Sequence, residues 1–110
     1  MIMAEKIIML ACSAGMSTSL LVSKMEATAK KDGVDYKIFA TSAADIDHQL
    51  SQDPHPDVLL LGPQVRYMAN DVKKKTDNAG IPMDIINMSD YGMMNGENVL
   101  QAAEKLLGDR

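Results

Sequence analysis

Lys6-Ile7-Ile8-Met9-Leu10-Ala11-Cys12-Ser13-Ala14-Gly15-Met16-Ser17-Thr18-Ser19 is the stretch on which the fold turns. Ile7 to Leu10 is apolar at every position, so both faces of an extended segment would be buried, as in a central strand of a parallel sheet. That strand is expected over Lys6 to Ala11. Small, hydroxyl-bearing residues follow, and then Leu21, Val22, Met25 and Ala29 recur at helical spacing until Lys30, Lys31 and Gly33 close a helix. A strand that feeds a helix through a glycine-containing loop can turn backbone N–H groups and the positive end of the helix toward an anion, without any basic side chain. Cys12 stands at the mouth of that loop.

Working outward, Val34 to Ala40 alternates Val34, Tyr36, Ile38 and Ala40 with polar or mixed partners, which predicts a second, less buried strand. Ser42 with Asp45 three positions on predicts a capping box for a short helix carrying Ile46 and Leu50, stopped by the Ser51 to Asp57 loop with Pro54 and Pro56. Val58 to Leu61 is a second wholly apolar run and a second central strand, ended by Gly62-Pro63. Val65, Met68, Ala69 and Val72 then fall on one helical face, with Lys73, Lys74 and Lys75 expected as solvated cations toward that helix's C-terminus. Gly80 and Pro82 introduce a short strand, Met83 to Asn87. Asn95-Gly96 starts a last helix with Val99, Ala103, Leu106 and Leu107 facing inward. Strands alternating with helices through short connections imply right-handed crossovers and a parallel α/β sheet covered on both faces. In such a sheet a ligand sits beyond the carboxyl ends of the strands, where Cys12 lies.

The 110 residues fit one domain, 1–110, and the apolar share of 46% is enough to build a core. Apolar runs as short as Val58 to Leu61 cannot span a bilayer, and no charged-then-apolar signal segment opens the chain, so a cytoplasmic location is expected. A net charge of -4 disfavours a phosphate backbone as ligand, so no nucleic acid partner is expected. With a single cysteine, neither an internal disulfide nor a multi-thiolate zinc site can form. Ten methionines beside four aromatic residues point to an adaptable core rather than to ligands.

Cys12 is the candidate nucleophile of this anion site, and Gly15 gives the loop its backbone freedom. A lone cysteine is commonly a small buried hydrophobe, but this one stands at a strand's carboxyl end beside Gly15 and four hydroxyls, Ser13, Ser17, Thr18 and Ser19. His48 and His55 read as exposed, since one lies in a polar part of a short helix and the other between two prolines. Arg66 reads as an exposed cation, and Asp90 as a turn or cap residue.

Cys12 through Ser19 resembles the phosphocysteine loop of the lactose/cellobiose-type IIB component of the bacterial phosphoenolpyruvate-dependent sugar phosphotransferase system. Leu60-Leu61-Gly62-Pro63-Gln64-Val65 and Tyr91-Gly92-Met93-Met94-Asn95-Gly96 are similar to that family as well. The resemblance implies a four-stranded parallel sheet of order 2-1-3-4, similar to the low-molecular-weight phosphatase fold. It implies that Cys12 accepts a phosphoryl group from a phosphohistidine on the IIA component. The group then passes to a β-linked disaccharide or related sugar held by the membrane IIC component, with which this chain would associate at the inner face of the membrane. The implied cradle is Ser13, Ala14, Gly15, Met16, Ser17, Thr18 and Ser19, acting mainly through backbone amides and through the Ser17 and Thr18 hydroxyls. Gly62, Pro63, Gln64 and Tyr91 would frame the same edge or serve as turn and packing residues. No metal and no organic cofactor is implied.

A cysteine-dependent phosphatase of the same fold is the rival. Its loop carries cysteine, five residues, then arginine, and here that position is Thr18. Without a guanidinium to clamp the transferring group, attack on phosphate monoesters loses a principal stabiliser. A module that binds an anion without turnover is the third reading, separated from a carrier by incubation with a phosphorylated donor.

Overall fold

The computed structural model of the chain describes residues 6–13 and 15–108, the side chains of 15–17 excepted. Strands β1 (Lys6–Cys12), β2 (Tyr36–Ser42), β3 (Val58–Leu61) and β4 (Met83–Ile85) form an all-parallel sheet in the order β2-β1-β3-β4. The helices are α1 (Gly15–Asp32), α2 (Ile46–Leu50), α3 (Ala69–Ala79), α4 (Met88–Gly92) and α5 (Gly96–Leu107). Sheet order and the helices on both faces are as the sequence led us to expect.

Successive side chains of a strand face opposite sides, so β1 and β3 divide their apolar runs between two cores. Ile8, Leu10, Val58 and Leu60 pack against Leu21 and Met25 of α1 and Leu100 and Ala103 of α5. Met9, Ala11, Leu59 and Leu61 pack on the other face against Ile46 of α2 and Val72 of α3. Each of these strand residues is at most 1% exposed, and burying one such side chain contributes about 1.5–3 kcal/mol. Alternation then places Cys12 with Ile8 and Leu10, on the α1 side of the sheet.

Glycine sets the spacing of that layer. A Cβ on Gly96 would lie 2.6 Å from the carbonyl carbon and the Cβ of Lys24, so α5 can approach α1 this closely only without a side chain there. Beside this contact, Glu104 of α5 is 1% exposed and its carboxylate accepts the Tyr36 hydroxyl at 2.9 Å, tying α5 to β2. The sequence reading had not singled out Glu104. No helix among the described residues is long and apolar enough to cross a membrane.

Several boundaries differ from expectation, each for a hydrogen-bonding reason. The second strand starts at Tyr36 and runs to Ser42 because Val34 belongs to the end of α1. Gly33 turns left-handed at φ 74°, its N–H meets the Lys30 carbonyl, and the Val34 N–H meets the Ala29 carbonyl. The Ser42 capping box does not form. A 3₁₀ turn, Ala43–Asp45, precedes α2, and the Asp45 carboxylate accepts from Thr41 and Gln49 side chains instead of the helix backbone. The helix expected to begin with Val65 is α-helical only from Ala69. Pro63–Met68 is 3₁₀, because the Gly62 carbonyl takes the Val65 N–H three residues on and Val65 itself is non-helical. This helix continues to Ala79, so the three lysines lie mid-helix and its last turn has no basic residue. Lys73 and Lys75 pair instead with Asp77 and Asp47 on the surface. The fourth strand stops at Ile85, since Asn87 caps α4, a helix the sequence reading did not foresee.

Candidate phosphoryl-transfer site

β1 leads into α1 on one face of the sheet, while its neighbour β3 leads through a 3₁₀ turn into α3 on the other. Diverging connections leave a crevice at the carboxyl ends of these two strands. Cys12 is the last residue of β1 and Gly62 the first after β3, joined by the Gly62 N–H donating to the Ala11 carbonyl at 2.7 Å. A Cβ on Gly62 would stand 3.0 Å from the Cys12 Cβ and 3.3 Å from the Ala11 carbonyl oxygen. The glycine therefore lets the two strand ends close around the cysteine without crowding its side chain.

α1 begins at Gly15, earlier than the sequence suggested, so Gly15 to Ser19 is the opening of the helix rather than a loop before it. The connection from Cys12 is correspondingly short. First-turn N–H groups of a helix have no acceptor within it, which leaves donors and the positive end of the dipole close after Cys12 in the chain. The early start also brings Thr18 onto the inner face of α1, fully buried, where its hydroxyl donates to the Cys12 Sγ at 2.6 Å. The Tyr91 hydroxyl, on α4, lies 3.4 Å from the same Thr18 oxygen.

These three residues come from the end of β1, the opening of α1 and a short helix far along the chain. All are buried: Cys12 is 1% exposed, Thr18 0% and Tyr91 7%. A recess of about 410 Å³ opens beside Tyr91, lined also by Pro63, Gln64, Met88, Gly92 and Met94. Tyr91, expected to frame the edge or to pack, does both.

Of the other cradle residues read from the sequence, Ser13 is exposed in the bend after Cys12 and Ser19 is exposed on α1. Gly15, Met16 and Ser17 contribute helical backbone, their side chains lying outside the described residues, and Ala14 lies outside them altogether. Arg66 is exposed on the 3₁₀ turn. Asp90 holds α4 to α5: its carboxylate accepts from the Asn98 side chain at 3.0 Å and its backbone carbonyl from the Asn95 N–H at 2.8 Å. His48 and His55 are exposed, the first beside Gln52 and the second with Nδ1 on the Pro56 carbonyl at 2.7 Å. Among the described residues no group of three or more histidine, cysteine or acidic side chains converges to hold a metal ion.

Comparison with known proteins gives the family and the fold. Residues 7–102 match the family model described as PTS system, Lactose/Cellobiose specific IIB subunit. The chain belongs to that family. The galactose-specific EIIB component of Lactococcus lactis subsp. cremoris is 62% identical over 107 residues, covering 96% of this chain and 99% of the relative. The cellobiose-specific EIIB component of Lactococcus lactis subsp. lactis has the same identity and coverage. An oligo-beta-mannoside-specific EIIB component from Bacillus subtilis is 35% identical over 93% of this chain and 96% of its own length. Among solved structures, the cellobiose-specific phosphotransferase IIB component from Borrelia burgdorferi superposes with a TM-score of 0.78 at 39% identity, covering 96% of this chain and 94% of the other. A lactose-specific IIB domain from Streptococcus pneumoniae, at 18% identity and a TM-score of 0.79 over 94% of this chain and 98% of the other, shares the fold. As a IIB subunit, the chain is a component of a sugar phosphotransferase system.

Proposed function

We propose that this IIB subunit is a cytoplasmic phosphoryl carrier in which Cys12 is the phosphorylated residue. The Cys12 thiolate attacks phosphorus on a phosphohistidine of the IIA component. The S–P bond forms as the N–P bond breaks, and the imidazole nitrogen keeps the bonding pair. In the second step a sugar hydroxyl at the membrane IIC component attacks the same phosphorus, breaking S–P and forming O–P. The hydroxyl proton passes to a base on that partner, and the thiolate is regenerated. Catalysis by this chain consists of positioning and of fixed donors facing the migrating charge: the first-turn backbone amides of α1, Gly15 to Ser17, and the Thr18 hydroxyl.

The observation that carries this reading is the Thr18 hydroxyl on the Cys12 sulfur at 2.6 Å, in a family of phosphotransferase components. Thr18 occupies the position of the arginine in a cysteine phosphatase loop. A hydroxyl offers one donor and no charge where a guanidinium offers a bidentate clamp, which favours holding a phosphoryl group over hydrolysing it. Asp90, the acid of α4, is occupied with Asn98 rather than standing open as a phosphatase general acid would. Contact with protein partners is supported by Leu20, Tyr67, Met88 and Met93, large apolar side chains exposed on the elements that leave this edge.

A β-linked disaccharide or related sugar is the acceptor we infer. Relatives of equal similarity are named for galactose and for cellobiose, which favours sugar choice by the partner that binds the sugar rather than by this subunit. The test is reconstitution with phosphorylated IIA and membranes containing IIC, beside an assay on a generic aryl phosphate. Transfer dependent on both partners, with no appreciable aryl phosphate turnover, is expected. Turnover at ordinary phosphatase rates would overturn the carrier reading.

A further inference from the structure

We propose that Tyr91 is a positioning residue for phosphoryl transfer at Cys12, acting through Thr18; this rests on the phosphocysteine reading above. The argument begins with a count of protons. A threonine hydroxyl has one, and Thr18 gives it to the Cys12 sulfur. Its oxygen can then only accept, so in the 3.4 Å contact the donor is Tyr91. Both O–H dipoles run one way, Tyr91 to Thr18 to Cys12, toward the atom that carries negative charge as a thiolate. Each polarises the next, and burial of all three side chains strengthens the chain relative to the same groups in water.

Thr18 needs such a partner. A threonine within a helix divides between two χ1 rotamers, because its hydroxyl can also bond back to a carbonyl of the preceding turn. Only a rotamer that faces the strand end reaches the sulfur, and the Tyr91 contact favours it. Tyr91 in turn is held by a well-tied element. The Asn87 side chain caps α4 by accepting the Asp90 N–H at 3.1 Å, the Tyr91 N–H meets the Asn87 carbonyl at 2.9 Å, and Asp90 is fastened to Asn98 of α5. During transfer the sulfur lone pair becomes the S–P bond and charge moves onto the phosphoryl oxygens. The Thr18 proton, already held at the sulfur, is the donor placed to follow that charge.

Tyr91→Phe keeps the buried ring and removes the hydroxyl. From the ordinary worth of one such hydrogen bond, kcat for transfer from phosphorylated IIA should fall roughly fivefold to tenfold. KM should not change, because a side chain only 7% exposed offers little surface to a partner. A merely structural tyrosine would not behave as Tyr91 should in combination with Thr18→Val. That variant is expected to lower kcat by itself, and adding Y91F should lower it no further, since the second hydroxyl acts only through the first. Three-bond couplings should report a single Thr18 rotamer in the unphosphorylated wild type and an averaged one in Y91F. Wild-type kcat in Y91F, multiplying effects in the double variant, or an unchanged rotamer would overturn the proposal. Mapping the phosphate on the wild type in the same experiment separates the two claims. Phosphate away from Cys12 overturns the phosphocysteine reading and this proposal with it, whereas phosphate on Cys12 with an unimpaired Y91F overturns this proposal alone.

Discussion

The two ends of the sheet are built from similar polar residues put to different use. At the amino end, the Asp57 carboxylate accepts the Ile7 N–H at 2.8 Å and the Asp57 N–H returns a bond to the Ile7 carbonyl at 2.8 Å. This reciprocal pair stitches the start of β3 to the start of β1 and leaves neither backbone group seeking a partner. Both histidines lie in the α2 and proline-loop region that leads to this end, and both face solvent. At the carboxyl end, Thr18 and Tyr91 hydroxyls from two separate helices follow one another onto a single buried sulfur. Polar groups at the amino end satisfy the backbone. Those at the carboxyl end converge on one sulfur, the proposed nucleophile, and that convergence, rather than residue type, is what we take to distinguish a site from a joint.

The largest expected break in this contrast is Cys12→Ser. The hydroxyl at that position stays protonated and is a poor nucleophile, so phosphoryl uptake from phosphorylated IIA should fall below detection while the fold persists. Labelling and circular dichroism on the same sample check both halves. Gly62→Ala should come next. Its Cβ would meet the Cys12 Cβ at 3.0 Å and the Ala11 carbonyl oxygen at 3.3 Å, atoms fixed to the central strand that cannot swing aside. We expect a loss of about 1–3 kcal/mol in denaturant unfolding, as for other overpacked sites, together with a transfer rate reduced about tenfold or more through displaced geometry. Asp57→Ala should have the smallest consequence and the opposite pattern. Stability falls by about 1 kcal/mol, the worth of one hydrogen bond, while the phosphoryl transfer rate stays at the wild-type value. A transfer defect in Asp57→Ala comparable to that of Gly62→Ala would erase the distinction between the two ends.

How much of this was legible beforehand depended on whether the deciding forces were local. Ile7 to Leu10 and Val58 to Leu61 announced themselves because strands buried on both faces must be apolar throughout, and Cys12 followed from its place after the first of them. The order of the strands came from family resemblance and not from periodicity. The start of β2 was misplaced because Val34 spends its N–H on closing α1, a bond back to Ala29 that alternation cannot register. α4 escaped because a three-residue strand and a five-residue helix are each too short to develop a period. Asn87 with Asp90 three positions later was its only local signal, and the cap bond between them forms. The same holds at the site. Thr18 was expected in the cradle from its place in the motif, but its hydrogen bond to the Cys12 sulfur was not read from the sequence. The contact of Tyr91 with Thr18 joins residues 73 apart in the chain, which only the folded sheet brings together.

The central claim, that the convergence at the carboxyl end makes Cys12 the carrier of phosphate, is tested most directly by mass mapping of the chain after exposure to phosphorylated IIA. The account predicts a single phosphoryl group, located on Cys12 and lost when the IIC component and its sugar are added. Phosphate on His48 or His55 with Cys12 unmodified would contradict it.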